Sequence, residues 1–174
     1  MFGETSASAH YGAHTHRRTA IEAREIAPDA ETAQLLPGAQ FADAYRIVLT
    51  DGSLDATGAA RRMFGRMPLW VGALTALRNA VVAPFGLKPG KPATNQIGIF
   101  PVIAQAPDRV VLGLDDRHLD FRLVIDIATM AGGRGVTATT IVKTHNRLGR
   151  AYLAAILPFH RIIARTAVRQ AAVP

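Results

Sequence analysis

Residues able to carry acid, base or ligand chemistry gather in two short runs. The first is Asp115-Asp116-Arg117-His118-Leu119-Asp120-Phe121-Arg122. In an extended chain His118, Asp120 and Arg122 share one face, with about 6.6 Å between successive members. A histidine beside carboxylates has the makings of a general acid/base, with His118 moving the proton and Asp116 or Asp120 orienting and tuning it. The plainer reading is a solvated strand face with an Asp–Arg pair. The second run is Thr144-His145-Asn146-Arg147, followed by Arg150. His145 is another acid/base candidate, and either His145 or Asn146 is suited to cap a helix. Arg150 and His160 are suited to hold an anionic ligand head. The plainer reading of His160 is a packed, hydrogen-bonded histidine.

Other chemistries are argued against. The chain has no cysteine, so disulfides, thiolate metal sites and a cysteine nucleophile are excluded. There is no P-loop, no Gly-x-Gly-x-x-Gly and no His-Glu-x-x-His, and no cofactor is implied. Ser6 and Ser8 lie in a polar arm and Ser53 is suited to a helix cap, so no serine sits in a nucleophile elbow. His10, His14 and His16 are irregularly spaced, and no metal site is assigned to them.

The elements that would position these groups follow from periodicity. Residues 1–20 are aperiodic and read as a flexible arm; residues 21–174 read as one domain. Pro28-Asp29-Ala30 starts a short helix that Pro37-Gly38 ends. Phe41 to Leu49 alternates as a strand, with Phe41, Asp43, Tyr45, Ile47 and Leu49 on one face. A helix runs from a cap at Ser53 to Phe64, and a second, beginning at Pro68, carries Trp70, Leu74, Leu77 and Val81 on one stripe. Four strands follow, over 97–105, 109–114, 117–127 and 135–144, at separations suited to antiparallel hairpins. Pro101 marks its strand as an edge or a bulge. Leu119, Phe121, Leu123, Ile125 and Ile127 form a core face.

A long helix over about 148–170 closes the chain. Leu148, Tyr152, Ile156, Phe159, Ile163 and Ala167 make its expected apolar stripe, and Arg161, Arg165 and Arg169 a basic one. Pro158 predicts a kink. The fold class expected is α+β: a curved antiparallel sheet of about five to seven strands gripping this helix, with a helix pair between the first and second strands. Such a sheet commonly leaves a ligand cavity against its helix. Trp70, Phe100, Phe121, Tyr152 and Phe159 either line that cavity or are plain core.

The runs Ile99-Phe100-Pro101-Val102, Asp115 to Arg122, Lys143-Thr144-His145-Asn146, Gly149-Arg150-Ala151-Tyr152 and Pro158-Phe159-His160 resemble a bacterial family catalogued as a domain of unknown function. Its members occur alone or fused behind a dehydrogenase-like nucleotide-binding domain. The resemblance covers about 37–170. The family is distantly similar to the helix-grip superfamily of pollen allergens, START domains and polyketide cyclases, which implies seven strands where five are read here.

Charge adds a partner question. The net charge is +7, and no acid follows Asp126, while Arg134, Lys143, Arg147, Arg150, Arg161, Arg165 and Arg169 do. An anionic partner or membrane surface is a candidate for Arg161, Arg165 and Arg169, although a solvated basic face is the plainer reading. The lack of interleaved aromatics argues against nucleic acid. A second copy of the chain is a further candidate partner. The longest apolar run, Ala151 to Phe159, is too short to span a bilayer, and no signal-peptide core is visible, so a cytoplasmic location is expected. Three functions stay open: binding of a small apolar or amphipathic ligand between sheet and helix, acid/base catalysis on the same scaffold, and docking on an anionic surface.

Overall fold

The computed structural model describes residues 21–50, 52–65 and 95–173. The N-terminal arm, the helix expected from Pro68, with Trp70 on it, and the loop after it lie outside the described residues. The rest is α+β, with a curved seven-strand antiparallel sheet and a long C-terminal helix.

The elements in chain order are β1 (Arg24–Ile26), α1 (Ala30–Ala33), β2 (Phe41–Leu49), α2 (Ala56–Phe64), β3 (Gln96–Ile97), β4 (Phe100–Gln105), β5 (Arg109–Asp115), β6 (Leu119–Met130), β7 (Gly133–Thr144) and α3 (Arg147–Gln170). The sheet order is β1-β2-β7-β6-β5-β4-β3. Seven strands replace the five read from the sequence for two local reasons. Gly98, at φ +60°, turns the chain inside the single strand expected over 97–105, so β3 folds back on β4. Arg24–Ile26 is too short to show a period, and it pairs with Ala44–Arg46 at the sheet edge. Pro101 lies near the other end of the sheet, beside a register shift between Val102 and Ala104.

The inner face of the sheet carries the core. Tyr45, Ile47, Val110, Leu112, Ile125 and Val136 are all buried there. Over them lies α2, whose Ala56, Ala59, Ala60, Met63 and Phe64 recur at helical spacing and are buried. Its cap is Asp55, not Ser53: the Asp55 carboxylate accepts the Gly58 N–H at 2.6 Å. The end of α3 completes this core through Val168 and Ala171.

The outer face is partly covered. Leu36 and Ala39, just after α1, pack on Val111, Val124 and Ile141. Arg109 bonds Asp126 at 2.6 Å and Thr32 at 3.0 Å on that side. Hydrogen bonding and the charge of Asp126 hold the Arg109 guanidinium above its ordinary range, against the opposing effect of burial.

Candidate functional site

Along α3 the inward positions are Tyr152, Ile156, His160, Ile163 and Ala167, with Leu153, Leu157, Ala164 and Val168 beside them. The expected stripe is corrected at Phe159, which is 57% exposed, as is its neighbour Ile162 at 64%. The helix turns 100° per residue, so Phe159 sits well round from His160. Pro158 lies inside the helix, which continues through it to Gln170.

The inward line places one histidine over the sheet. His160 Nε2 lies 3.0 Å from each oxygen of the Asp43 carboxylate. Asp43 is an inward residue of β2, between Phe41 and Tyr45, and its side chain is only 10% exposed. An isolated carboxylate there would be costly; pairing with an imidazole offsets that cost. The Phe41 ring meets His160 edge-on at 5.5 Å. Sequence reasoning placed Asp43 on the core face but drew no chemistry from it. The signal was a carboxylate in an otherwise apolar file of strand residues.

Beside this pair both walls stay half-buried. Phe41 and Phe121 flank Val142 across the strands of the inner face. Phe121 continues edge-on to Phe100 at 5.8 Å, and Phe100 to Phe64 at 5.3 Å. Phe41, Leu119, Phe121 and Leu123 on the sheet, and Tyr152, Ile156 and His160 on the helix, all retain intermediate exposure. From Arg150 to Ala167 no residue of α3 is fully buried, whereas Val168 is. The helix and sheet therefore form a half-open groove that narrows into a closed core. Phe121, Tyr152 and His160 are half-buried on this side, Phe100 packs on the core beside Phe64 and Phe121, and Arg150 is exposed near the helix start.

Deeper in the core, the Tyr45 hydroxyl is buried with no hydrogen-bond partner among the described residues. Burial first, then the negative charges of Asp43 and Glu25, push its phenol above the ordinary range; Arg165 and Arg161 oppose them. The Arg165 guanidinium sits 5.6 Å from the centre of the Tyr45 ring and bonds Glu25 at 3.2 Å. Arg165 is thus tied to β1, not merely a member of a solvated stripe.

The residues first singled out from the sequence form a separate cluster. His118 lies in the β5–β6 turn, ahead of the strand. The Asn146 side-chain amide donates to the Arg117 carbonyl at 3.0 Å and to His118 Nδ1 at 2.9 Å. Its carbonyl oxygen caps α3 by accepting the Gly149 N–H at 3.0 Å. His145 Nε2 bonds Asp120 at 2.9 Å, and Asp120 also accepts the Asp116 N–H at 3.1 Å. Arg122 bonds Asp115 at 2.5 Å. That bond, aided by the charges of Arg122 and His145, holds the Asp115 carboxyl below its usual range. By strand parity Asp120 and Arg122 point to the outer face, away from the groove. His118 and His145 therefore anchor the helix start rather than line the groove. Among the described residues, no group of three or more His, Asp or Glu side chains is arranged to hold a metal ion.

Two open depressions are also present among the described residues. One, of about 290 Å³, lies beneath the turn after α1; the other, of about 350 Å³, lies beside Asp55 and Pro107. Neither is lined by α3.

Fold and site together define an α+β protein with a long helix laid over the inner face of an antiparallel sheet and joined to it by a histidine–carboxylate pair. The chain belongs to the family described as a protein of unknown function, DUF2867, which matches residues 35–167. No curated protein matches it. Among solved structures it is similar to a Rhodobacter sphaeroides protein determined by a structural-genomics consortium. The identity is 14% and the TM-score 0.37, over 79% of this chain and 93% of that one. Among the described residues no helix is long and apolar enough to cross a membrane.

Proposed function

We propose that the protein binds a small apolar or amphipathic molecule in the groove between the inner sheet face and the first half of α3. The observation that supports this reading is the half-buried state of both walls. Aromatic and aliphatic side chains normally close such a helix–sheet contact, because burying one contributes about 1.5–3 kcal/mol. Here they stop short of closure around a single polar pair, His160–Asp43. Convergent polar groups in an apolar groove are the usual composition of a small-molecule site. The ligand's apolar body would lie on Phe121, Tyr152 and Ile156, and its polar end at His160. Arg150, exposed in the first turn of α3, is the candidate for an anionic head group.

The test is native mass spectrometry of freshly purified protein. The wild type should carry an adduct that Ile156→Asp loses. A wild type seen only at its own mass, even after incubation with a medium-chain fatty acid, overturns the reading.

The His160–Asp43 pair favours one further reading, acid/base chemistry at the same groove. With its Nε2–H donated to the Asp43 carboxylate, His160 keeps Nδ1 as the basic nitrogen. His118 and His145 are less suited to the task, since they are bound at the helix start by Asn146 and by Asp120, a residue of the outer face, away from the groove. An adduct that changes mass over time in wild type but not in His160→Gln would establish catalysis. An adduct unchanged in both would leave a binding protein.

A further inference from the structure

We propose that the outer face of α3 docks on an anionic lipid surface. The exposed residues of this helix are five arginines, three alanines, Pro158, Phe159 and Ile162. An ordinary solvent-facing helix mixes acids with bases and carries Gln or Ser between them. This one has no acid at all, and none follows Asp126 in the chain.

The apolar members form a ridge. Ala151, Ala155, Pro158 and Ile162 succeed one another at spacings of four, three and four, which keeps them on one line of the helix. Phe159 stands beside that line. Phe159 and Ile162 are among the most exposed large apolar side chains described, at 57% and 64%. At 100° per residue, Arg147, Arg150, Arg161 and Arg165 fall along one flank of the ridge. Arg165 is partly committed to Glu25. The side chains of Arg147, Arg150, Arg161 and Arg169 make no hydrogen bond or ion pair among the described residues.

A ridge of Phe and Ile flanked by arginines suits an interface that offers phosphates at its surface and hydrocarbon just below. A nucleic-acid backbone would use the arginines and leave the apolar ridge in water. A symmetric contact between two copies would oppose the arginines of one helix to those of the other. Lipid satisfies both halves of the face. The inward residues His160 and Ile156 take no part, so this surface shares only Arg150 with the groove.

The test is flotation of the full-length protein with vesicles of equimolar phosphatidylcholine and phosphatidylglycerol, beside vesicles of phosphatidylcholine alone. Binding is expected to the anionic vesicles only. Arg161→Gln/Arg169→Gln should weaken it about 25-fold, at roughly fivefold for each arginine near an anionic surface. Phe159→Ser/Ile162→Ser should remove the part of the binding that survives high salt. All four side chains are exposed, so the circular dichroism spectrum and melting temperature should stay unchanged. Arg165 is left in place because it holds β1. Equal binding to neutral vesicles, no binding, or binding unaffected by either double variant overturns the proposal. So does tighter binding to a DNA duplex with the same arginine dependence, or a dimer in solution that Phe159→Ser/Ile162→Ser dissolves.

Discussion

Asp43 and Tyr45 are neighbours on one face of β2, and each is a polar group placed among apolar ones. They differ in what meets them. Asp43 has His160 at 3.0 Å, while the Tyr45 hydroxyl has no partner among the described residues. Removing one member of a buried pair strands the other, at a cost of roughly 3–5 kcal/mol. Asp43→Ala should therefore lower the unfolding free energy by about 3 kcal/mol in urea titration. Asp43→Leu/His160→Leu should recover most of that loss, because apolar packing replaces both desolvated groups. If the double variant is as unstable as the single, the pair is worth more than its desolvation cost. For Tyr45 the sign reverses. An unsatisfied buried hydroxyl costs about 1–3 kcal/mol, so Tyr45→Phe should raise stability by about 1 kcal/mol. A drop in the denaturation midpoint would show that the hydroxyl is bonded in solution.

Besides the Arg165–Glu25 contact, α3 is held at its start, middle and end, each by a different means. At its start, the Asn146 side chain caps Gly149 and ties the helix to the β5–β6 turn. Gly149 is required there, because a Cβ at that position would come within 2.0 Å of the His118 carbonyl oxygen. Midway His160 reaches Asp43, and at the end Val168 and Ala171 enter the core. Asn146→Ala should cost about 1 kcal/mol, the usual worth of an N-cap. Gly149→Ala should cost more, since the clash is with backbone that cannot rotate away. Equal losses for the two would mean that the turn shifts freely. Pro158 breaks one hydrogen bond inside the helix, at a cost of about 3 kcal/mol, and is exposed. Pro158→Ala should keep the fold and raise the melting temperature. A lower melting temperature would show that the proline shapes the helix for its contact with the sheet.

For the molecule as a whole, acid titration reports on the cluster at the helix start. The Asp115 carboxyl has its folded pKa below the unfolded value of 3.8. A depressed carboxylate pKa contributes stability that is present above 3.8 and is lost as pH falls through the folded value. Asp115→Asn should therefore be less stable than wild type near neutrality, by a small margin because the side chain is 65% exposed. The two proteins should converge at the acid end. A constant difference across the range would mean that the carboxylate acts through packing and not through its charge. Arg165→Gln tests the edge of the sheet. It should speed hydrogen exchange in Arg24–Ile26 and leave β5 and β6 unchanged, because only β1 depends on the Glu25 contact.

Several features were legible in the sequence because they rest on local periodicity. The alternation of β2 and β6, the spacing of α2 and the continuity of α3 each repeat often enough to reveal a face. Asn146 was legible as a cap, since capping is a short-range bond. The strands β1 and β3 were not, having too few residues to show a period. The tertiary structure alone decided which faces became sites. His118 and His145 stand close to carboxylates in the chain, and that closeness is spent on fixing the helix start. Asp43 and His160 are far apart in the sequence and meet only because α3 crosses β2, a contact that no spacing encodes. Phe159 was expected inward on helical count, but a stripe read from composition is wider than the contact a curved sheet makes. The same crossing that turned His160 in turned Phe159 and Ile162 out. The unmixed basic composition of the final helix could be read from the residues, whereas the placement of exposed apolar groups beside its arginines was settled by which side of the helix the sheet covered.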